Sequence, residues 1–197
     1  MAVDELENSL EKIRLTFKEA VGRLEPLAQS LIVPPELFFS RLLLGSIGMG
    51  TAVPDERAAS ACRALEFLDQ ALSLGALTSP DSGYDEEKLL VTDYLYGQAI
   101  DQVVGVGEAR IIDILAAAIA GVAEDRVEES CSPYRLRLIV AALGIALLVG
   151  EFSAAAAAAL SAAAAAAASG SVDWPGALPA DGVREFFEQS TSMAANS

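Results

Sequence analysis

Apolar residues recur at intervals of three and four along most of this chain, the spacing of one face of an α-helix. Asp4 to Leu24 predicts an amphipathic helix, with Leu6, Leu10, Ile13, Phe17, Val21 and Leu24 on one side and Glu and Lys around them. Asp4 and Glu5 suit its positive end, and Pro26 marks a stop. Pro34-Pro35 opens a second helix, Glu36 to about Met49, since proline at the first helical position gives up an N–H that has no partner there. Pro54-Asp55-Glu56 caps a third, which runs to about Leu77 with Ala58, Ala61, Leu65, Leu68 and Leu72 as its buried stripe.

Glu87 to Glu129 holds two further helical patterns around a short loop, Val104-Gly105-Val106-Gly107. Leu90, Tyr94, Leu95 and Ala99 mark the first; Ile111, Ile112, Leu115, Ala116, Ile119, Val122 and Ala123 mark the second. A connection this short predicts an antiparallel helix hairpin. Cys131-Ser132-Pro133 ends the second pattern. Leu138 to Gly150 is the most apolar run, at 13 residues too short for the roughly 20 needed to cross a bilayer. Ser153 to Gly170 follows, almost wholly Ala and Ser: strongly helix-forming, weakly hydrophobic. A central helix of an all-α bundle, apolar all round because it is surrounded, accounts for both halves. A Pro/Gly-rich linker through Pro179 leads to a short last helix, Asp181 to about Gln189, that presents Val183, Phe186 and Phe187. The expectation is a single all-helical domain over residues 1–189, of about seven to eight helices, and a disordered tail over residues 190–197.

Composition narrows this picture. Hydrophobic residues make up 53% of the 197 but aromatics only 6%, so the apolar content is mostly Ala and Leu, which favours helices over strands. The net charge of −15, with 28 acids against 13 bases, disfavours nucleic acid and anionic membrane surfaces as partners. Cys62 and Cys131 fit no metal or redox spacing, and the acidic start lacks a signal-peptide pattern, so a reduced cytoplasmic setting is expected. The chain has no histidine, which removes Ser–His and Cys–His activation and His-ligated metals. Chemistry here would run on carboxylates, Lys/Arg and a hard metal ion. Glu124, Asp125, Glu128 and Glu129 form acid pairs at i, i+4, a spacing open to a divalent ion or to a solvated helix face; Arg126 intervenes.

Leu90-Val91-Thr92-Asp93-Tyr94-Leu95, followed by Ala99, resembles the "L-V-G-D-Y-L … A" helix of trans-type polyprenyl diphosphate synthases. The helix ending Ala118-Ile119-Ala120-Gly121-Val122-Ala123-Glu124 is similar to the one that follows it in that family, and Ala64-Leu65-Glu66-Phe67-Leu68 to its "A-x-E-l-i-H" run, with Asp69 at the His place. The resemblance covers Pro34 to about Glu129, and Tyr134 to Ala168 weakly. It implies the all-α isoprenoid-synthase fold, in shortened form. The residues it would need for catalysis are missing. Glu36 stands where the family's K-x-x-R signature has Lys, and Phe39 where it has Arg; Arg41 is either a register-shifted survivor or a surface arginine. Ala76-Leu77-Thr78-Ser79-Pro80 replaces the first aspartate-rich motif, the nearest acids being Asp69 and Asp81, and no second such motif follows. The loop Thr78 to Tyr84 carries no basic residue in place of the family's arginine pair. Asp93 matches a family Asp but has no partner carboxylate. Without stacked acids a diphosphate is neither neutralised nor oriented through metal.

The expectation is a non-catalytic prenyl-synthase-like protein with no catalytic residues, metal ligands or cofactor of its own. It would act as a homo-oligomer or, as a small or regulatory subunit, in a heteromer with a catalytic prenyl synthase. Two alternatives stay open: a helical scaffold without isoprenoid role, and an active prenyltransferase with rearranged carboxylates.

Overall fold

A computed structural model of the chain describes residues 3–76, 86–127 and 134–168, and among these are eight helices and no strand. They are α1 (Val3–Val21), α2 (Pro26–Ser30), α3 (Phe38–Gly48), α4 (Glu56–Ala76), α5 (Glu86–Val104), α6 (Ala109–Val127), α7 (Tyr134–Val149) and α8 (Ala154–Ala168). The linker, the last helix expected at Asp181–Gln189, the tail, the loop at Thr78–Tyr84 and Cys131-Ser132-Pro133 lie outside the described residues.

The order of helices follows the apolar pattern, and α4 holds the bundle together. Asp55 caps α4: its Oδ1 accepts the backbone N–H groups of Arg57 at 3.0 Å and Ala58 at 3.1 Å. Partial burial works against its charge, but hydrogen bonds from Arg57 and the cap amides hold the carboxyl below its usual range. Asp55→Ala is expected to lower stability by about 1 kcal/mol, read from urea unfolding at neutral pH. The expected stripe of Ala58, Ala61, Leu65, Leu68 and Leu72 is buried throughout. Around it pack α1, α3, α5 and α7. Phe17 of α1 stacks on Phe67 at 4.8 Å between centroids, and the Tyr94 hydroxyl of α5 donates to the Ala20 carbonyl at 2.8 Å.

Four expectations are corrected. α1 stops at Val21, short of the expected Leu24, and Pro26, expected as the stop, instead starts α2 as its first residue. α3 begins at Phe38 rather than Glu36, because Leu37 takes a left-handed conformation, φ 57°, and is fully buried. Such a backbone costs a non-glycine residue about 1–2 kcal/mol, which the buried isobutyl group offsets. Leu90 is exposed, not buried: α5 lays Val91, Leu95, Ala99 and Val103 into the core, one residue round from the face the sequence suggested. In α6 the core line is Ile111, Leu115, Ala118 and Val122, whereas Ala116 and Ala123 are exposed and Ile112 and Ile119 half-buried.

The joint between α5 and α6 is turned by Gly107, φ +71°, with Gly107 N–H donating to the Val104 carbonyl at 3.1 Å. The two helices touch little after that turn. α5 packs chiefly along α4, and α6 along α7.

The single central helix expected through the Ala run is two helices. α7 is surrounded, with Leu138, Ile139, Ala142, Leu143, Ile145 and Ala146 buried against α3, α4, α6 and α8. α8 is one-sided: Leu160, Ala163 and Ala167 face α7, and most of its other alanines are at least partly exposed. The turn between them is clasped to the end of α3. Thr51 N–H donates to the Glu151 carbonyl at 2.9 Å, and a β-carbon added at Gly50 would fall on that same carbonyl oxygen. Gly50→Ala is therefore expected to cost about 2 kcal/mol, since backbone meets backbone and neither can swing away. Thermal unfolding of the variant checks this. No helix among the described residues is long and apolar enough to cross a membrane.

Candidate functional site

Buried polar side chains gather where α3, α4 and α7 meet. Glu66 sits mid-helix in α4, flanked in sequence by Leu65 and Phe67, and is 1% exposed. Its Oε1 accepts both the Ser40 backbone N–H and the Ser40 hydroxyl, each at 2.8 Å. The Ser40 carbonyl in turn faces the Cys62 thiol at 3.9 Å. One turn along α4, Asp69 accepts the Tyr134 hydroxyl at 3.1 Å. The Arg135 guanidinium lies across Asp69, with Nε 3.4 Å from Oδ1, and approaches Glu36 at 3.9 Å. Its carbon sits 5.3 Å and 5.7 Å from the ring centres of Phe38 and Phe39, close enough for cation–π attraction. Arg135 Nη2 donates a long hydrogen bond to Asp69 Oδ2 at 3.5 Å, while the buried Nε makes none.

Burial sets the electrostatics. It pushes the Glu66 carboxyl up to about 7, against the pull of the Ser40 hydrogen bonds, with the neighbouring Asp69 charge adding to the rise and Arg135 opposing it. Burial raises Asp69 as well, opposed by the Arg135 charge and the Tyr134 hydrogen bond. The Tyr134 hydroxyl is pushed up to about 12 by burial and by the Asp69 carboxylate. The Cys62 thiol is driven well above its ordinary value by burial and then by Glu66, which leaves it inert as a nucleophile.

The sequence-singled residues divide accordingly. Glu36 and Asp69 come together, on Arg135. Phe39 is a core residue under that guanidinium. Arg41 reaches back to α1, where it pairs with Glu7 at 2.9 Å, which makes it a bundle tie. Asp93 is exposed on α5, and Ala76 ends α4. Asp125 is held by Arg137 in a two-pronged pair, at 2.9 and 2.7 Å, which holds its carboxyl below the usual range. Arg137 reaches it by lying across Gly121, where a β-carbon would come within 3.0 Å of Nε. Glu128 and Glu129 lie outside the described residues. Among the described residues no group of three or more His, Cys, Asp or Glu is placed to hold a metal ion. Glu66, Ser40, Tyr134 and Arg135 were not reachable from spacing. The one signal was a glutamate with apolar neighbours on both sides at a buried helix register.

A second feature lies across α4. Where α5 and α6 diverge, an apolar groove of about 200 Å³ is floored by Leu68 and walled by Ala99, Ile100 and Val103 on one side and Ile112, Leu115, Ala116 and Ile119 on the other. The polar junction is closed on itself, acid to base and acid to hydroxyl. The groove is open and its lining among the described residues is almost wholly apolar. Comparison with protein-family models, with curated proteins and with solved structures found no match.

Proposed function

We propose that this is a non-catalytic, prenyl-synthase-like helical protein that serves as the small or regulatory subunit of a heteromeric polyprenyl diphosphate synthase. The reading rests on the resemblance of the Leu90–Ala99 stretch and its neighbours to that family. The observation that carries its non-catalytic half is the closure of Asp69 and Glu36 on Arg135. In the resembled family, acids near this end of the helix hold Mg²⁺ against a diphosphate. Here Asp69, the first acid upstream of that place, is neutralised by an arginine of α7, and Glu36 would repel the diphosphate a lysine would attract. These residues do not fit the metal. A partner would have to supply every ligand.

Co-expression with a full-length polyprenyl diphosphate synthase from the same cell tests the reading. Co-purification with a shifted product chain length supports it; separate elution with an unchanged product overturns it. The groove between α5 and α6 favours a second reading, a helical interaction protein with no isoprenoid role, which predicts binding to a partner indifferent to pyrophosphate.

A further inference from the structure

The groove between α5 and α6 has the features of a seat for another helix. Its volume of about 200 Å³ falls below the ~300 Å³ at which clefts for whole small molecules begin. Anchor side chains of a helix, spaced at i, i+3 or i+4, fit such a slot. Its two lips differ. The α5 lip carries Ile100, 54% exposed, and Val104, 56% exposed, which offer apolar contact beyond the groove itself. The α6 lip is Ala116, Ala120 and Ala123, exposed and small, over which a second backbone can come close.

Charge selects the occupant. Glu86, Asp93, Asp101, Asp113 and Glu124 are exposed on these two helices, against Arg110. Asp93 lies two helical turns before Ile100 on α5, and Asp113 one turn before Ala116 on α6. A second copy of this chain, at net −15, would bring like charge to like. We propose that the groove docks a cationic amphipathic helix of a partner protein, with aliphatic anchors between α5 and α6 and Lys or Arg against Asp93 and Asp113. The inference stands apart from the isoprenoid reading: it concerns what the groove accepts, whichever protein presents it.

Fluorescence anisotropy of the full chain with a labelled leucine–lysine peptide of helical 3–4 periodicity tests it, beside the same peptide with glutamate for lysine. The lysine peptide is expected to bind and the glutamate peptide not. Ile100→Glu and Ala116→Glu change exposed positions, so folding survives them, which circular dichroism checks. Each is expected to weaken the lysine peptide at least tenfold. Both substitutions add negative charge, so a peptide held by net charge alone would bind them more tightly; that result overturns the proposal. Asp113→Lys is expected to weaken the lysine peptide severalfold. Failure of the lysine peptide to bind overturns the proposal, as does a homodimer that Ile100→Glu splits, or binding of a prenyl alcohol that Ile100→Glu abolishes while the peptide does not bind. Co-purification with a synthase is a separate measurement, so either idea can fail alone.

Discussion

Glu66→Gln is expected to flatten a pH dependence of stability that the native chain shows between about pH 4.5 and 7. The carboxyl has an ordinary value of 4.5 and is pushed to about 7 in the fold, chiefly by burial. The folded state therefore holds a proton that the unfolded state releases. The contribution of this group is fully present below about 4.5 and is lost as the pH rises through about 7. A displacement of that size corresponds to on the order of 3 kcal/mol across the window. Asp69 is raised for the same leading reason and adds a loss of the same sign, beginning lower. The chain should thus be more stable at pH 5 than at pH 8, the reverse of a protein whose acids are stabilised by ion pairs. Glutamine retains an acceptor for the two Ser40 donors and cannot ionise, so the variant should hold its stability from pH 5 to 8. Urea unfolding at several pH values measures the slopes. Parallel slopes for the two proteins would remove Glu66 from this role.

Arg135→Ala is expected to destabilise the chain by about 3–4 kcal/mol at pH 8, because it strands a buried carboxylate and uncovers Phe38 and Phe39. The loss should shrink at pH 5, where Asp69 takes up a proton more readily and needs no cation. Adding Asp69→Asn to Arg135→Ala should recover much of the difference at pH 8, whereas Asp69→Asn alone should cost less than Arg135→Ala. A double-mutant cycle at both pH values gives the coupling directly. A coupling near zero at pH 8 would mean that the guanidinium serves only as a cover for the two rings.

How much of this was legible in the sequence depends on contrast along the chain. α4 was read nearly to the residue because Asp55 is a strong cap and Ala58, Ala61, Leu65, Leu68 and Leu72 recur at helical spacing. The faces of α5 and α6 were read broadly, since Leu90, Ile100, Ile112 and Ala116 are apolar yet look toward the groove or solvent. Periodicity cannot separate a core line from a binding line next to it. Within Leu138 to Ala168 nearly every residue is apolar or small, so no polar face marks where α7 stops. The sign was local instead: Gly150 closes one helix on the Ala146 carbonyl, and Ser153 begins the next by accepting the Ala156 N–H at its hydroxyl. The polar junction was out of reach for a different reason. Ser40 and Glu66 are 26 positions apart and Asp69 and Arg135 are 66 apart, so only the folded bundle brings them together. The resemblance singled out Glu36, Phe39, Arg41 and Asp69, of which Arg41 alone lies away from the junction, paired with Glu7.

The clasp between Thr51 and Glu151 ties positions 100 residues apart. A ring of chain that large, enclosing α4 to α7, carries a loop-closure entropy that nearby contacts avoid. α8 hangs from this fastening by a backbone turn and by Leu160, Ala163 and Ala167. Its polyalanine inclines strongly to helix, yet at 15 residues α8 is near the length at which a lone helix is marginal in water. The last helix of the described fold therefore owes its winding to the surface of α7 as much as to its own composition.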